Sequence, residues 1–127
     1  MAKPIQILYV EDEPMIATLM REAMGLFGVK VDPWCNSAEA LLARIDDPVV
    51  QSAQILFFDI RLPGLTGLEL ARQLRQSGER RPIVFLSAYQ PPPDAELASL
   101  GALFHPKPFD LEKLVGLVHQ LTPAGGN

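Results

Sequence analysis

The residues able to do chemistry together are Glu11 and Asp12, Asp59, Ser87 and Lys107. Each comes at or just beyond the end of a short apolar run, at 5–10, 55–58, 82–86 and 102–104. Carboxylates held close together repel unless a cation sits among them. Oxygen donors of this kind suit Mg²⁺, which takes one or two carboxylates and keeps waters for a phosphate-bearing partner. A carboxylate can also attack a phosphoryl group and become an aspartyl phosphate. A nearby ammonium then offsets charge on the transferring oxygens. Taken singly, each residue has an ordinary role: acidic residues at a helix start, a turn Asp, a capping Ser, a solvated Lys. The ordered set carries the chemical reading.

To meet, these residues need elements that end at one rim. The apolar runs read as strands buried on both faces, with a weaker strand at 29–34 ending at Pro33 or soon after. Helical spacing covers 14–27, with Pro14 in the first turn and Gly28 past the end. Met15, Met20 and Met24 read there as helical core. Further helices are expected from Ser37 to Ile45, stopped by Pro48, then over 68–77, 94–100 and 110–121. Strands alternating with helices imply an α/β fold, a parallel sheet with helices on both faces. In such sheets ligands bind beyond the carboxyl ends of the strands.

The 127 residues suit one domain. Hydrophobic residues make up 48% and charged ones 20%, which argues against disorder. The net charge of −4 favours neither nucleic acid nor an anionic membrane, so no direct DNA or membrane binding is expected. No apolar run reaches the ~20 residues of a membrane span, and no signal peptide is evident, so a cytoplasmic location is expected. Cys35 is the single cysteine, which excludes an internal disulfide and a cysteine-based zinc site. It reads as a small buried hydrophobe, and Trp34 as packing. His105 and His119 are weak candidates for phosphate chemistry.

Four segments then resemble the receiver domain of bacterial two-component response regulators: Tyr9-Val10-Glu11-Asp12-Glu13-Pro14, Phe58-Asp59-Ile60-Arg61-Leu62-Pro63-Gly64-Leu65-Thr66-Gly67, Leu86-Ser87-Ala88 and Lys107-Pro108-Phe109. The resemblance runs over nearly the whole chain. It implies a flavodoxin-like, doubly wound five-stranded sheet of order 2-1-3-4-5, with a receiver domain over 1–122 and a flexible tail over 123–127. By the same resemblance Asp59 is the phosphoacceptor. Asp12, Asp59 and the backbone carbonyl of Arg61 ligate Mg²⁺, with Glu11 helping through water. Ser87 bonds the phosphoryl group, and Lys107 pairs with Asp59 or the phosphate. Ser87 and Phe104 take the switch positions, and the Lys107–Pro108 bond is cis.

The chain also departs from the family. The stretch between Ser87 and Lys107 is short and holds Pro91-Pro92-Pro93, so the fourth helix is expected to be short or displaced. Phe104 lacks a hydroxyl and would switch by packing alone. Arg61 and Tyr89 flank the expected path of the hydrolytic water and are bulky, which predicts a long-lived phosphoryl group.

The expected function is a single-domain response regulator that takes a phosphoryl group from a sensor histidine kinase or histidine phosphotransferase and then binds a downstream protein. It would catalyse its own phosphorylation and slow dephosphorylation without being a metabolic enzyme. A homodimer through the face of the fourth helix, fifth strand and fifth helix fits the resemblance. One alternative is a receiver excised from a hybrid kinase or longer regulator. Another is an aspartyl-nucleophile phosphatase, which commonly has a second Asp two residues after the nucleophile. Here that position is Arg61.

Overall fold

A computed structural model describes residues 4–122. Strands β1 (Ile5–Val10), β2 (Val29–Cys35), β3 (Ile55–Asp59), β4 (Ile83–Ser87) and β5 (Ala102–Pro106) form one parallel sheet, in the order β2-β1-β3-β4-β5. That is the order expected from the resemblance. The helices are α1 (Pro14–Gly25), α2 (Ala38–Ala43), α3 (Pro48–Ser52), α4 (Gly67–Gln76), α5 (Asp94–Leu100) and α6 (Leu111–Leu121). The tail expected at 123–127 lies outside the described residues.

Alternating side chains of the central strands feed two cores. Ile7, Tyr9, Ile55, Phe57, Val84 and Leu86 face α1 and α6, where Met20, Met24, Leu114 and Val118 cover them. Leu8, Val10, Leu56, Phe58, Ile83 and Phe85 face the other way, under Leu41, Val50, Leu70, Leu74 and Leu100. Both faces of β1, β3 and β4 are therefore dry, which explains their unbroken apolar runs.

Some expectations are corrected. The helix from Ser37 ends at Ala43, and Pro48 opens an extra helix, α3, instead of only stopping the one before it. Proline fits the first turn of a helix, where its missing N–H costs nothing, and Asp47 caps α3 by accepting from the Val49 N–H. Among the described residues there are thus six helices, and the short one expected fourth is α5, with seven residues. β2 ends at Cys35, soon after Pro33 as expected, with a register shift opposite Ile7 and Tyr9. An edge strand tolerates proline there. Met15 is 77% exposed, not core. Ala17, Met20 and Met24 form the buried face of α1, and Met15 falls on the other side.

Strand register brings the chemical residues to one level. Val10 lies opposite Phe58, Asp59 opposite Leu86, and Ser87 opposite Pro106. The Lys107 N–H donates to the Ser87 carbonyl at 2.8 Å. Glu11, Asp59, Ser87 and Lys107 thus end neighbouring strands on the same rim.

His105 does not join that rim. It is 6% exposed, and its Nε2 accepts from the N–H of Asp110, the residue that caps α6. His119 is exposed on α6. Acceptance by Nε2 needs the neutral imidazole, and burial pushes the His105 pKa below its ordinary 6.5. A depressed histidine pKa contributes stability that is present above the unfolded value and lost as pH falls below it. Wild type should therefore lose more stability than His105→Gln between pH 7.5 and 5.5 in denaturant unfolding. Equal losses would rule this out.

Candidate functional site

Glu11 sits just beyond β1 and is 1% exposed. Its Oε1 accepts from Lys107 Nζ at 2.9 Å and from the Tyr9 hydroxyl at 2.9 Å. Its Oε2 accepts from the Glu13 N–H at 3.2 Å. Asp59, at the end of β3, is 6% exposed, and its Oδ2 accepts from Lys107 Nζ at 3.1 Å. Its Oδ1 accepts from the Arg61 N–H at 3.3 Å. One ammonium therefore bridges two buried carboxylates. Asp12 is exposed beside them, and carboxylate oxygens of Glu11, Asp12 and Asp59 lie within 4.8 Å of one another.

The β3–α4 loop is shaped by α4. Thr66 and Glu69 form a reciprocal capping box, and the Gly67 N–H donates to the Ile60 carbonyl at 3.0 Å. The start of α4 is thereby pressed against the backbone of Asp59. Across the rim, Ser87 is buried, and its Oγ accepts from the Tyr89 N–H at 3.0 Å. A cleft of about 340 Å³ is lined by Asp12, Asp59, Arg61, Ser87, Tyr89 and Lys107, among others. Its mouth carries Arg61, whose guanidinium lies 4.3 Å from the centre of the Tyr89 ring.

The electrostatics are those of two carboxylates sharing one cation. Burial pushes the Asp59 carboxyl up to about 6, the Lys107 ammonium pulls against that, and the Glu11 charge adds to it. Burial also acts upward on Glu11, but Lys107, the Glu13 amide and the Tyr9 hydroxyl together hold it below its ordinary value. Burial works against the Lys107 charge too, and the two carboxylates outweigh it, so its pKa is raised. An ionised Asp59 is thus a cost to folding. Asp59→Asn should be more stable than wild type by about 1–3 kcal/mol at pH 7.5 in chelator, since each pKa unit is worth 1.36 kcal/mol. Equal or lower stability would show that Lys107 fully compensates the charge.

The donor set fits Mg²⁺: all oxygen, three carboxylates, one of them open to solvent. Asp12, Asp59, Ser87 and Lys107 come together as the sequence suggested, and Arg61 lines the same cleft. Phe104 stands apart, half-buried against the core under α2 to α5. The Lys107–Pro108 peptide is cis as expected, and Asp32–Pro33 is cis as well. Sequence reasoning missed two supports of Glu11. One is the Tyr9 hydroxyl. The other is Trp34, whose Nε1 donates to the Glu11 carbonyl at 2.8 Å. The period of two along a strand puts Tyr9 and Glu11 on one face, and that signal was available.

A family model of the response regulator receiver domain matches residues 7–119. The chain belongs to that family. It is 34% identical over 120 residues to the transcriptional regulatory protein TrcR of Mycobacterium tuberculosis, covering 93% of this chain and 45% of that protein. It is 30% identical over 113 residues to the DNA-binding transcriptional regulator NtrC of Escherichia coli, covering 87% of this chain and 23% of NtrC. This receiver thus spans about half or less of the length of these curated relatives. Among solved structures, Vibrio cholerae chemotaxis protein CheY4 superposes with a TM-score of 0.80 at 21% identity, covering 94% of this chain and 99% of that one. Response regulator TrrA of Thermotoga maritima, solved with Mg²⁺ and BeF, gives a TM-score of 0.79 at 27% identity, covering 93% and 99%. The receiver is a component of two-component signalling, a family that works with histidine kinases. Among its described residues no helix is long and apolar enough to cross a membrane.

Proposed function

We propose that this receiver takes a phosphoryl group onto Asp59 from the phosphohistidine of a histidine kinase or histidine phosphotransferase, and that the added charge alters a protein-binding surface. The observation that carries this reading is the buried Asp59 carboxylate, bonded to Lys107 and open to a cleft that also holds Asp12 and Ser87. An Asp59 oxygen attacks phosphorus. The new P–O bond forms as the P–N bond to the donor imidazole breaks, and the imidazole leaves with that electron pair and takes a proton from solvent.

The surrounding residues prepare the step. Lys107 holds Oδ2 and brings a positive charge to the phosphoryl oxygens. The Arg61 N–H fixes Oδ1. Ser87 Oγ accepts the Tyr89 N–H, which leaves its own hydroxyl proton to donate to a phosphoryl oxygen. Asp12, Asp59, the Arg61 carbonyl and, through water, Glu11 would hold Mg²⁺, which would supply further positive charge at the transferring group. The product carries about two negative charges, enough to bias a two-state surface.

Incubation with acetyl phosphate and Mg²⁺, followed by intact mass measurement, tests the reading. Wild type should gain one phosphoryl mass, while Asp59→Asn and a chelator-treated sample gain none. No gain in a folded wild type, beside a control receiver that reacts, would refute it for small donors, and purified histidine kinases would extend the refutation to protein donors.

The greater length of the relatives supports a second reading, in which the same switch controls an output unit within a longer regulator. A phosphatase reading has less support. The position two residues after Asp59 is Arg61, which stacks on Tyr89 and offers no general acid.

A further inference from the structure

Tyr9 is fully buried on β1. Its ring packs edge-on against Phe57, with centroids 6.4 Å apart and planes at 86°. A phenylalanine ring would make the same contact. The hydroxyl is therefore surplus to packing, and a buried hydroxyl costs stability unless it is hydrogen-bonded. Its partner is Glu11 Oε1, at 2.9 Å. Burial and the neighbouring Glu11 carboxylate push the phenol pKa up, so it stays protonated and donates.

We propose that Tyr9 is a positioning residue of the acidic site, its buried hydroxyl holding the Glu11 carboxylate in the orientation that serves both the cation and Lys107. The inference rests on the Mg²⁺ site of the reading above and adds to it a residue outside the ligand set. Glu11 has a longer side chain than Asp12 or Asp59 and more rotamers to lose when it is fixed. Four donors fix it: the Tyr9 hydroxyl and Lys107 on Oε1, the Glu13 amide on Oε2, and the Trp34 indole on its backbone carbonyl. Of these, Lys107 also serves Asp59, and it must remain able to follow a phosphoryl group. Trp34 reaches only the backbone carbonyl, so Tyr9 is, among the described residues, the side chain committed to the Glu11 carboxylate alone, and it keeps that carboxylate in place when Lys107 shifts. Partners of this kind, one step removed from a metal, typically change metal affinity by tenfold or more when lost.

The test is Mg²⁺ binding without any phosphodonor. It is read by calorimetry and by the fluorescence of Trp34, the single tryptophan, whose indole touches Glu11. Tyr9→Phe keeps the ring and removes only the hydroxyl. Its Mg²⁺ dissociation constant should rise about tenfold. Glu11→Asp supplies the control background. It keeps the charge but draws the carboxylate back by about 1.5 Å, one carbon–carbon bond, out of reach of the hydroxyl. In that background, adding Tyr9→Phe should change the constant by less than about twofold, because independent sites add and coupled ones do not. Unfolding curves of each variant separate positioning from loss of fold. An unchanged constant in Tyr9→Phe, or an equal rise in both backgrounds, overturns the inference alone. A wild type that binds no Mg²⁺ overturns it together with the metal site.

Discussion

Gly67→Ala should destabilise the receiver by about 3 kcal/mol, the upper end for overfilling a packed site, and should slow phosphorylation of Asp59 in whatever protein still folds. A Cβ at Gly67 would stand 2.3 Å from the Asp59 carbonyl oxygen and 3.0 Å from both its carbonyl carbon and Ile60 Cα. All three are backbone atoms and cannot swing aside. Either α4 retreats, breaking the 3.0 Å bond from Gly67 N–H to the Ile60 carbonyl, or the β3–α4 loop moves and takes Asp59 with it. Denaturant unfolding measures the first effect and the acetyl phosphate rate the second. Gly116 serves as control, since a Cβ there meets nothing within 4 Å. Gly116→Ala should be neutral or slightly stabilising, as alanine is the better helix former. Similar behaviour of the two variants would contradict the close approach of α4 to Asp59.

Removing the pair at the cleft mouth should speed loss of the phosphoryl group roughly tenfold, a barrier change of about 1.4 kcal/mol. Tyr89 is 60% exposed, yet it is not idle, because the Arg61 guanidinium stacks on its ring at 4.3 Å. Stacking of this kind is worth about 0.5–1 kcal/mol at an exposed site, enough to hold both side chains over the cleft for much of the time. A water attacking the phosphorus must pass them. Arg61→Ala, Tyr89→Ala should therefore lose phosphate faster than wild type, and each single variant by an intermediate amount. Release of inorganic phosphate from the phosphorylated protein gives the rates. An unchanged rate in the double variant would show that the pair shields nothing.

The sheet was legible because its central strands are buried on both sides. Runs such as Ile55-Leu56-Phe57-Phe58 fit no other element of that length flanked by turns. β2 was less clear, since Lys30, Asp32 and Pro33 interrupt an edge strand that needs burial on alternate positions only. Helix α3 was hidden by an ambiguity in proline chemistry. The ring that ends one helix also suits the first turn of the next, and five residues give no periodicity to decide between them. Met15 was misplaced because apolar spacing on α1 is rich enough to draw more than one stripe, and only packing against α6 and the sheet selects Ala17, Met20 and Met24.

The site divides in the same way. Glu11, Asp12, Asp59, Ser87 and Lys107 could be read because each is a polar residue that ends or follows an apolar strand. Their convergence depends on register, and a shift of one residue in β3 would turn Asp59 to the other face. The sharing of Lys107 between Glu11 and Asp59 is a matter of distances that no sequence pattern carries. Nor does any pattern carry the stacking of Arg61 on Tyr89, from two loops that meet only at the sheet's rim.

Asp59 itself should be the residue that receives the phosphoryl group. Borohydride reduces an acyl phosphate to an alcohol, so treatment of the phosphorylated protein should mark the acceptor, and peptide mass mapping should locate it. The expected result is one converted residue, Asp59, dependent on Mg²⁺ and absent from Asp59→Asn. Conversion at Glu11, Asp12 or another carboxylate, or a stable phosphoryl mass on His105 or His119, would contradict it.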